Sequence, residues 1–264
     1  MPSVKVLGAY GGKYDQKHTS SFVVSDAIVI DAGNLVVGLG EKAPKVRHIF
    51  LTHSHFDHII DIPFLIDAVF TEIDDSITVY GLPHTIKTLK THLLNDEIWP
   101  DFSRLHLPAN GKPAIVYREI EIGATYEIDG YAITPVAANH VVPACGYVVE
   151  HGGAAVMLSG DTYLHEGIAA TVNANAKIVS LILEVSFPSR MRAIAEESRH
   201  LTPELAAAML ADIRREGVTV YIYHMKPGYE TAIEEELSKL LENGMEFRML
   251  DDYETVPYDP PETL

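Results

Sequence analysis

The sequence predicts an α+β fold in which two sheets pack face to face and carry their helices on the outside. Two patterns lead there. Short apolar runs of strand length dominate each half of the chain, and helical periodicity follows them in blocks, whereas a regular parallel sheet needs strand and helix in strict alternation. The 264 residues are 47% hydrophobic, with no stretch depleted of apolar side chains, so a sizeable core can be buried. We read residues 1–264 as a single domain.

In the first half, strands are expected at 4–7, 21–24, 27–31 and 47–51. Pro63 near a first turn, then Phe64, Leu65, Ala68 and Val69 at helical spacing, predict a helix over about 62–70. A strand at 77–80 and a helix at 85–94 follow. The second half repeats the rhythm, with strands at 115–119, 125–128, 131–137, 146–150, 154–159 and 178–184. Thr202 as N-cap, Pro203 at the first helical position, an alanine-rich 205–213 and Gly217 as a stop predict a helix leading into a strand at 218–223. Helices are expected to close the chain.

The longest apolar stretches, such as 27–30 and 178–183, fall far short of the roughly 20 residues of a membrane-spanning helix. The opening Met1-Pro2-Ser3-Val4-Lys5-Val6 has neither a basic leader nor a signal-length apolar core. A cytoplasmic protein without a membrane segment is expected. The one cysteine, Cys145, lies in an apolar segment, where a buried, inert thiol is the default. With 20 Lys and Arg against 37 Asp and Glu, a net charge of −17 disfavours nucleic acid as a partner.

The chemistry concentrates in His53-Ser54-His55-Phe56-Asp57-His58, where four metal-binding groups fall within six positions directly after the apolar run Ile49-Phe50-Leu51. A loop leaving a strand end can direct His53 and His55 to one ion while Asp57 and His58 serve another. Imidazole with carboxylate suits Zn²⁺ best, with Fe or Mn as alternatives. Two ions need more donors, and His140, Asp161 and His224 each follow an apolar run downstream.

These residues resemble the metallo-β-lactamase superfamily of di-metal hydrolases over nearly the whole chain, through its His-x-His-x-Asp-His signature and the order of the later ligands. The resemblance implies a four-layer αββα sandwich. It also implies that His53, His55 and His140 bind one divalent ion, that Asp57, His58 and His224 bind a second, and that Asp161 bridges them.

Within the superfamily, Tyr80-Gly81-Leu82-Pro83-His84-Thr85-Ile86, Asn95-Asp96-Glu97-Ile98-Trp99-Pro100 and Ser198-Arg199-His200-Leu201-Thr202-Pro203 look like class II cyclic-nucleotide phosphodiesterases. Two positions depart from that pattern: Phe56 stands where leucine is usual, and Asp61 where glycine is usual. Glu184 and His200 resemble the glutamate and histidine of related transfer-RNA-processing phosphodiesterases, where the glutamate orients and charges the histidine. The reading that follows is hydrolysis of a small-molecule phosphodiester, a 3′,5′-cyclic nucleotide with cyclic AMP foremost, to the 5′-monophosphate by a metal-bridging hydroxide.

In that reading His200 is the general acid, Glu184 its orienting carboxylate, and Asp57 counts as catalytic as well as a ligand. His84, in a loop-forming Gly-Leu-Pro-His turn, is read as substrate-adjacent, and Asp31 as a turn residue or a support for a histidine ligand. His18, His48, His92, His106, His151 and His165 lack ligand spacing and receive no role. Three rival readings share the ligands: a transfer-RNA 3′-end endonuclease; a lactone, thioester or β-lactam hydrolase; and a catalytically silent metal-binding or scaffold protein.

Overall fold

The computed structural model describes residues 2–241 and 245–258, so the ends of the 1–264 span lie outside the described residues. Fourteen strands among these form two seven-stranded sheets. In chain order, β1 (Ser3–Gly8), β2 (Ser21–Val23), β3 (Ile28–Ile30), β4 (His48–Phe50), β5 (Ile77–Gly81) and β6 (Ile115–Glu119) belong to the first sheet. The second holds β7 (Tyr126–Ile128), β8 (Tyr131–Ala137), β9 (Cys145–His151), β10 (Ala154–Leu158), β11 (Ile178–Glu184), β12 (Thr219–Tyr223) and β13 (Phe247–Met249). The last strand, β14 (Thr255–Pro257), returns to pair antiparallel with β1.

Both sheets are mixed in the same way. Strands β3 to β6 run parallel, as do β10 to β13, while the other end of each sheet is antiparallel. Among the described residues eight α-helices connect them: α1 (Leu35–Leu39), α2 (Phe56–Ile59), α3 (Asp61–Val69), α4 (Pro83–His92), α5 (Gly167–Ala174), α6 (Arg192–Ser198), α7 (Pro203–Leu210) and α8 (Glu230–Leu240).

Side-chain alternation along the strands shows why the layers stack as they do. Ile28 and Ile30 of β3, Phe50 of β4 and Tyr80 of β5 join the core shared with Tyr147, Leu158 and Leu183 of the second sheet. Their neighbours Val29, Ile49 and Val79 point the opposite way, into a core with Leu35, Ile62, Leu65 and Leu89 of α1, α3 and α4. A strand with apolar residues on both faces needs cover on both, so the first sheet is buried between its helices and the second sheet. Helices α5, α7 and α8 supply Ile168, Leu205, Met209 and Ile233 to the second sheet's core. The result is the four-layer αββα sandwich.

Several elements differ from the sequence reading. Strands β13 and β14 close the described chain where helices were expected; each is three residues long and edges its sheet, too short for an alternation pattern to stand out. The helix expected at 205–213 ends at Leu210, and turns separate it from Gly217, which leads into β12 with φ 75°. Thr202 is its N-cap by backbone geometry, but its side chain makes no capping hydrogen bond. Among the described residues no helix is long and apolar enough to cross a membrane.

Candidate metal centre

Strand direction gathers the chemistry at one edge. His53 and His55 leave the C-terminal end of β4, Asp161 follows β10, Glu184 ends β11 and His224 follows β12. Strands β8 and β10 both lie antiparallel to β9, so β8 points the same way and delivers His140 to the same edge. Carboxyl ends of parallel strands are where open α/β sheets place their sites, because neighbouring loops diverge there and leave a crevice.

The loops bring all seven expected ligands together. Donor atoms of His53, His55, His140 and Asp161 lie within 4.8 Å of one another, as do those of Asp57, His58 and His224. Asp161 Oδ2 sits between the groups, 3.7 Å from His53 Nε2, 3.4 Å from His58 Nε2, 4.0 Å from His140 Nε2 and 3.3 Å from His224 Nε2. Between imidazoles, His55 Nδ1 and His140 Nε2 approach to 3.1 Å, and His58 Nε2 and His224 Nε2 to 3.3 Å. These spacings match donor atoms roughly 2.0–2.2 Å from a shared zinc-sized ion.

Hydrogen bonds on the far side of each ring decide which nitrogen faces inward. His58 Nδ1 is 2.7 Å from Asp31 Oδ2 and His140 Nδ1 is 3.0 Å from the Arg199 carbonyl; both partners only accept, so Nδ1 donates and Nε2 keeps its lone pair. The Thr52 hydroxyl donates to Asp31, which leaves its oxygen to accept from His53 Nδ1 at 3.0 Å. Ser186 donates to Glu184 Oε2 and accepts from His224 Nδ1, both at 3.0 Å. Four imidazoles thereby present an Nε2 lone pair to the centre, and His55 presents Nδ1. Such outward donors characterise metal-ligating histidines.

The burial of this set argues the same way. His53, His58, Asp161 and His224 are buried, and His53 Nε2 and Asp161 Oδ1 have no hydrogen-bond partner. Buried polar atoms are rarely left so, and a cation at the centre would give His53 Nε2 a partner. Burial alone lowers the His58 pKa, but the carboxylates of Asp161, Asp31 and Asp57 override it and hold the ring well above its usual value. Burial raises the Asp57 carboxyl, and His58 and His224 reverse this and draw it far down. The carboxylates thus demand positive charge at the centre. The donor set fits divalent metal ions.

His200 lies beside the centre. Its Nδ1 is 2.9 Å from Glu184 Oε1, and its ring centroid is 5.0 Å from that of His140 and 5.2 Å from that of His224. Burial lowers its pKa, but Glu184 more than compensates and the ring is held above its usual value. Glu184 also accepts from the Thr162 backbone at 3.0 Å, so one buried carboxylate fixes His200 directly and His224 through Ser186. His200 additionally falls in a third grouping with Asp161 and His224.

His84 is not one of the clustered donors. It is exposed in the first turn of α4 and shares no hydrogen bond with the cluster among the described residues. Asp61, in place of the usual glycine, has a structural use: its Oδ2 accepts from the Val36 backbone at 2.9 Å and caps α1, where Asn34 provides no side-chain cap. The sequence reading missed Thr52, Ser186 and the Arg199 carbonyl. Only Thr52, adjacent to His53, carried a positional signal. Cys145 is fully buried, as expected.

A family model described as the Beta-lactamase superfamily domain matches residues 27–225. The chain belongs to the metallo-β-lactamase superfamily. This superfamily member is similar to the ribonuclease Z of Mycobacterium sp. (strain KMS), at 27% identity over 221 residues covering 77% of each chain. In fold it resembles the metallo-beta-lactamase fold protein YhfI of Bacillus subtilis, with TM-score 0.76 at 18% identity, and unliganded yeast PDE1, with TM-score 0.79 at 18% identity. Each alignment covers 97% of this chain and 99% of the other. The superfamily assignment makes the chain a metal-dependent hydrolase with divalent-ion clusters of His and Asp. The exclusion of nucleic acid on net charge finds no support, since the curated relative is named for an RNA-cleaving activity. Net charge averages over a whole surface and says little about one crevice where cations gather.

Proposed function

We propose that this hydrolase is a phosphodiesterase acting on 3′,5′-cyclic nucleotides, cyclic AMP foremost, and releasing the 5′-monophosphate. The observation that carries the reading is the buried His200–Glu184 pair, 2.9 Å apart at the rim of the ligand cluster. Cleaving a phosphodiester expels an alkoxide, a poor leaving group that needs a proton. An imidazolium held by a carboxylate and turned toward the centre is suited to that donation. The motifs at 80–86, 95–100 and 198–203 favour the cyclic-nucleotide class.

In this reading His53, His55 and His140 would hold one divalent ion, Asp57, His58 and His224 would hold a second, and Asp161 would be shared by both, with zinc preferred over iron or manganese. Two ions so held supply activation of water and neutralisation of phosphoryl oxygens. The chain's own part is orientation: Asp31 and Thr52 set the rings of His58 and His53, and Ser186 sets that of His224. Glu184 holds His200 with Nε2 free to give its proton to the 3′ oxygen. We assign one hydrolase domain to 1–264, a cytoplasmic setting, and a substrate-adjacent place to His84.

A second reading has a specific observation behind it: the ribonuclease Z relative aligns over 77% of the chain, and the same His200–Glu184 pair serves RNA phosphodiester cleavage equally well. Steady-state rates of the zinc-loaded protein on cyclic AMP, cyclic GMP and precursor transfer RNA separate the two. Turnover of cyclic AMP above the others supports the first reading. Cleavage of precursor transfer RNA alone replaces it.

A further inference from the structure

Beside Asp57 lies a cavity of about 320 Å³, at the lower end of the range for small-molecule pockets. Gly11, Gly12, Lys13, Thr19, Phe56 and Ile60 line it, and Asp57 joins it to the metal centre. Phe56 is 61% exposed, on a one-turn helix whose next two residues, Asp57 and His58, belong to the ligand cluster. An aromatic face of that size left open to solvent beside a catalytic centre costs hydration free energy in the unliganded protein, and this is the position where the resembled family has leucine.

Gly11 and Gly12 contribute bare backbone to the lining. A Cβ on Gly11 would stand 2.6 Å from the His224 ring, and one on Gly12 would stand 3.3 Å from Pro227, so no side chain intrudes from either. The Gly11 amide donates to the Met225 carbonyl at 3.1 Å, and the Lys226 ammonium donates to the Gly11 carbonyl, which pins the turn. Lys13, exposed at the rim, adds a positive charge where an anionic substrate approaches. A cavity lined by an exposed aromatic ring and by two glycines without side chains suits a planar heterocycle.

We propose that this slot receives the nucleobase of the substrate, stacked on Phe56, while the phosphate lies at the metal centre, and that Phe56 is a specificity-determining residue. The inference rests on the phosphodiesterase reading for its substrate class, but its test is one of binding. Zinc-loaded wild type, Phe56→Ala and Phe56→Tyr are titrated calorimetrically with adenosine 5′-monophosphate and with inorganic phosphate, after metal content is measured in each.

Loss of a base–aromatic stack predicts about a tenfold weaker Kd for the nucleotide in Phe56→Ala, restored in Phe56→Tyr, with the ratio to phosphate falling in step. Equal nucleotide affinity in Phe56→Ala overturns the proposal. So does a parallel loss for phosphate, or a wild type that binds the nucleotide no tighter than phosphate. If Phe56 governs nucleotide binding and cyclic AMP is nonetheless not hydrolysed, the slot stands and the catalytic reading falls.

Discussion

Asp31 Oδ2 lies 2.7 Å from His58 Nδ1, and Asp31 Oδ1 accepts the Thr52 backbone amide at 2.8 Å. One buried carboxylate therefore aims His58 directly and His53 by way of the Thr52 hydroxyl, which links the two ion-binding groups. Asp31 adopts φ 57° to do so, a left-handed conformation that aspartate tolerates better than most residues.

Asp31→Ala is accordingly expected to weaken zinc affinity by about 10- to 100-fold, although Asp31 is not among the seven ligands. Competition with a chromophoric chelator measures it. An affinity within twofold of the parent would mean that the rings are oriented by packing alone.

Proton donation and metal retention should separate by mutation. His200→Ala is expected to keep its metal and lose about 10²- to 10⁴-fold in kcat, whereas Asp57→Ala and Asp161→Ala lose metal and turnover together. Elemental analysis beside kinetics reads this directly. Metal loss in His200→Ala would instead make His200 a ligand, in keeping with its grouping with Asp161 and His224.

Gly11 allows β12 to deliver His224 against the first sheet. Gly11→Ala places a methyl group 2.6 Å from the His224 ring and from its carbonyl oxygen, and backbone cannot yield cheaply. We expect a loss of about 1–3 kcal/mol in stability, measured by urea unfolding, together with weaker binding at the Asp57, His58 and His224 group. Parental stability and metal content would show that the turn moves freely.

Cys145 should be silent in the native protein. Burial pushes its thiol up to about 12, so above neutral pH the thiolate that reacts is absent until the pH nears that value. Ellman's reagent at pH 8 is expected to titrate no thiol in the native state and one after denaturation in guanidinium. Rapid native reaction would reveal local opening of β9.

Three strand expectations coincide with the observed bounds: 115–119, 131–137 and 178–184 are β6, β8 and β11. The candidate ligand set was legible because metal chemistry restricts residue types, and the candidates come after the ends of β4, β8, β10 and β12. Helix α5 was missed because its run of small residues, Gly-Ile-Ala-Ala-Thr-Val-Asn-Ala, shows little contrast between faces. His84 carried the same local signal as a functional loop residue and turned out exposed.

Residue types and their order along the chain were enough to determine the superfamily, the two-sheet architecture and a candidate set of metal donors, since these depend on hydrophobic period and on which atoms carry lone pairs. Tertiary structure alone decided how the donors are aimed. The hydroxyls of Thr52 and Ser186, the carbonyl of Arg199 and the bare wall at Gly11 act through distances of about 3 Å between residues as far apart as 140 and 199, or 11 and 224. Chain folding sets those distances, and apart from Thr52 beside His53 no local pattern records them.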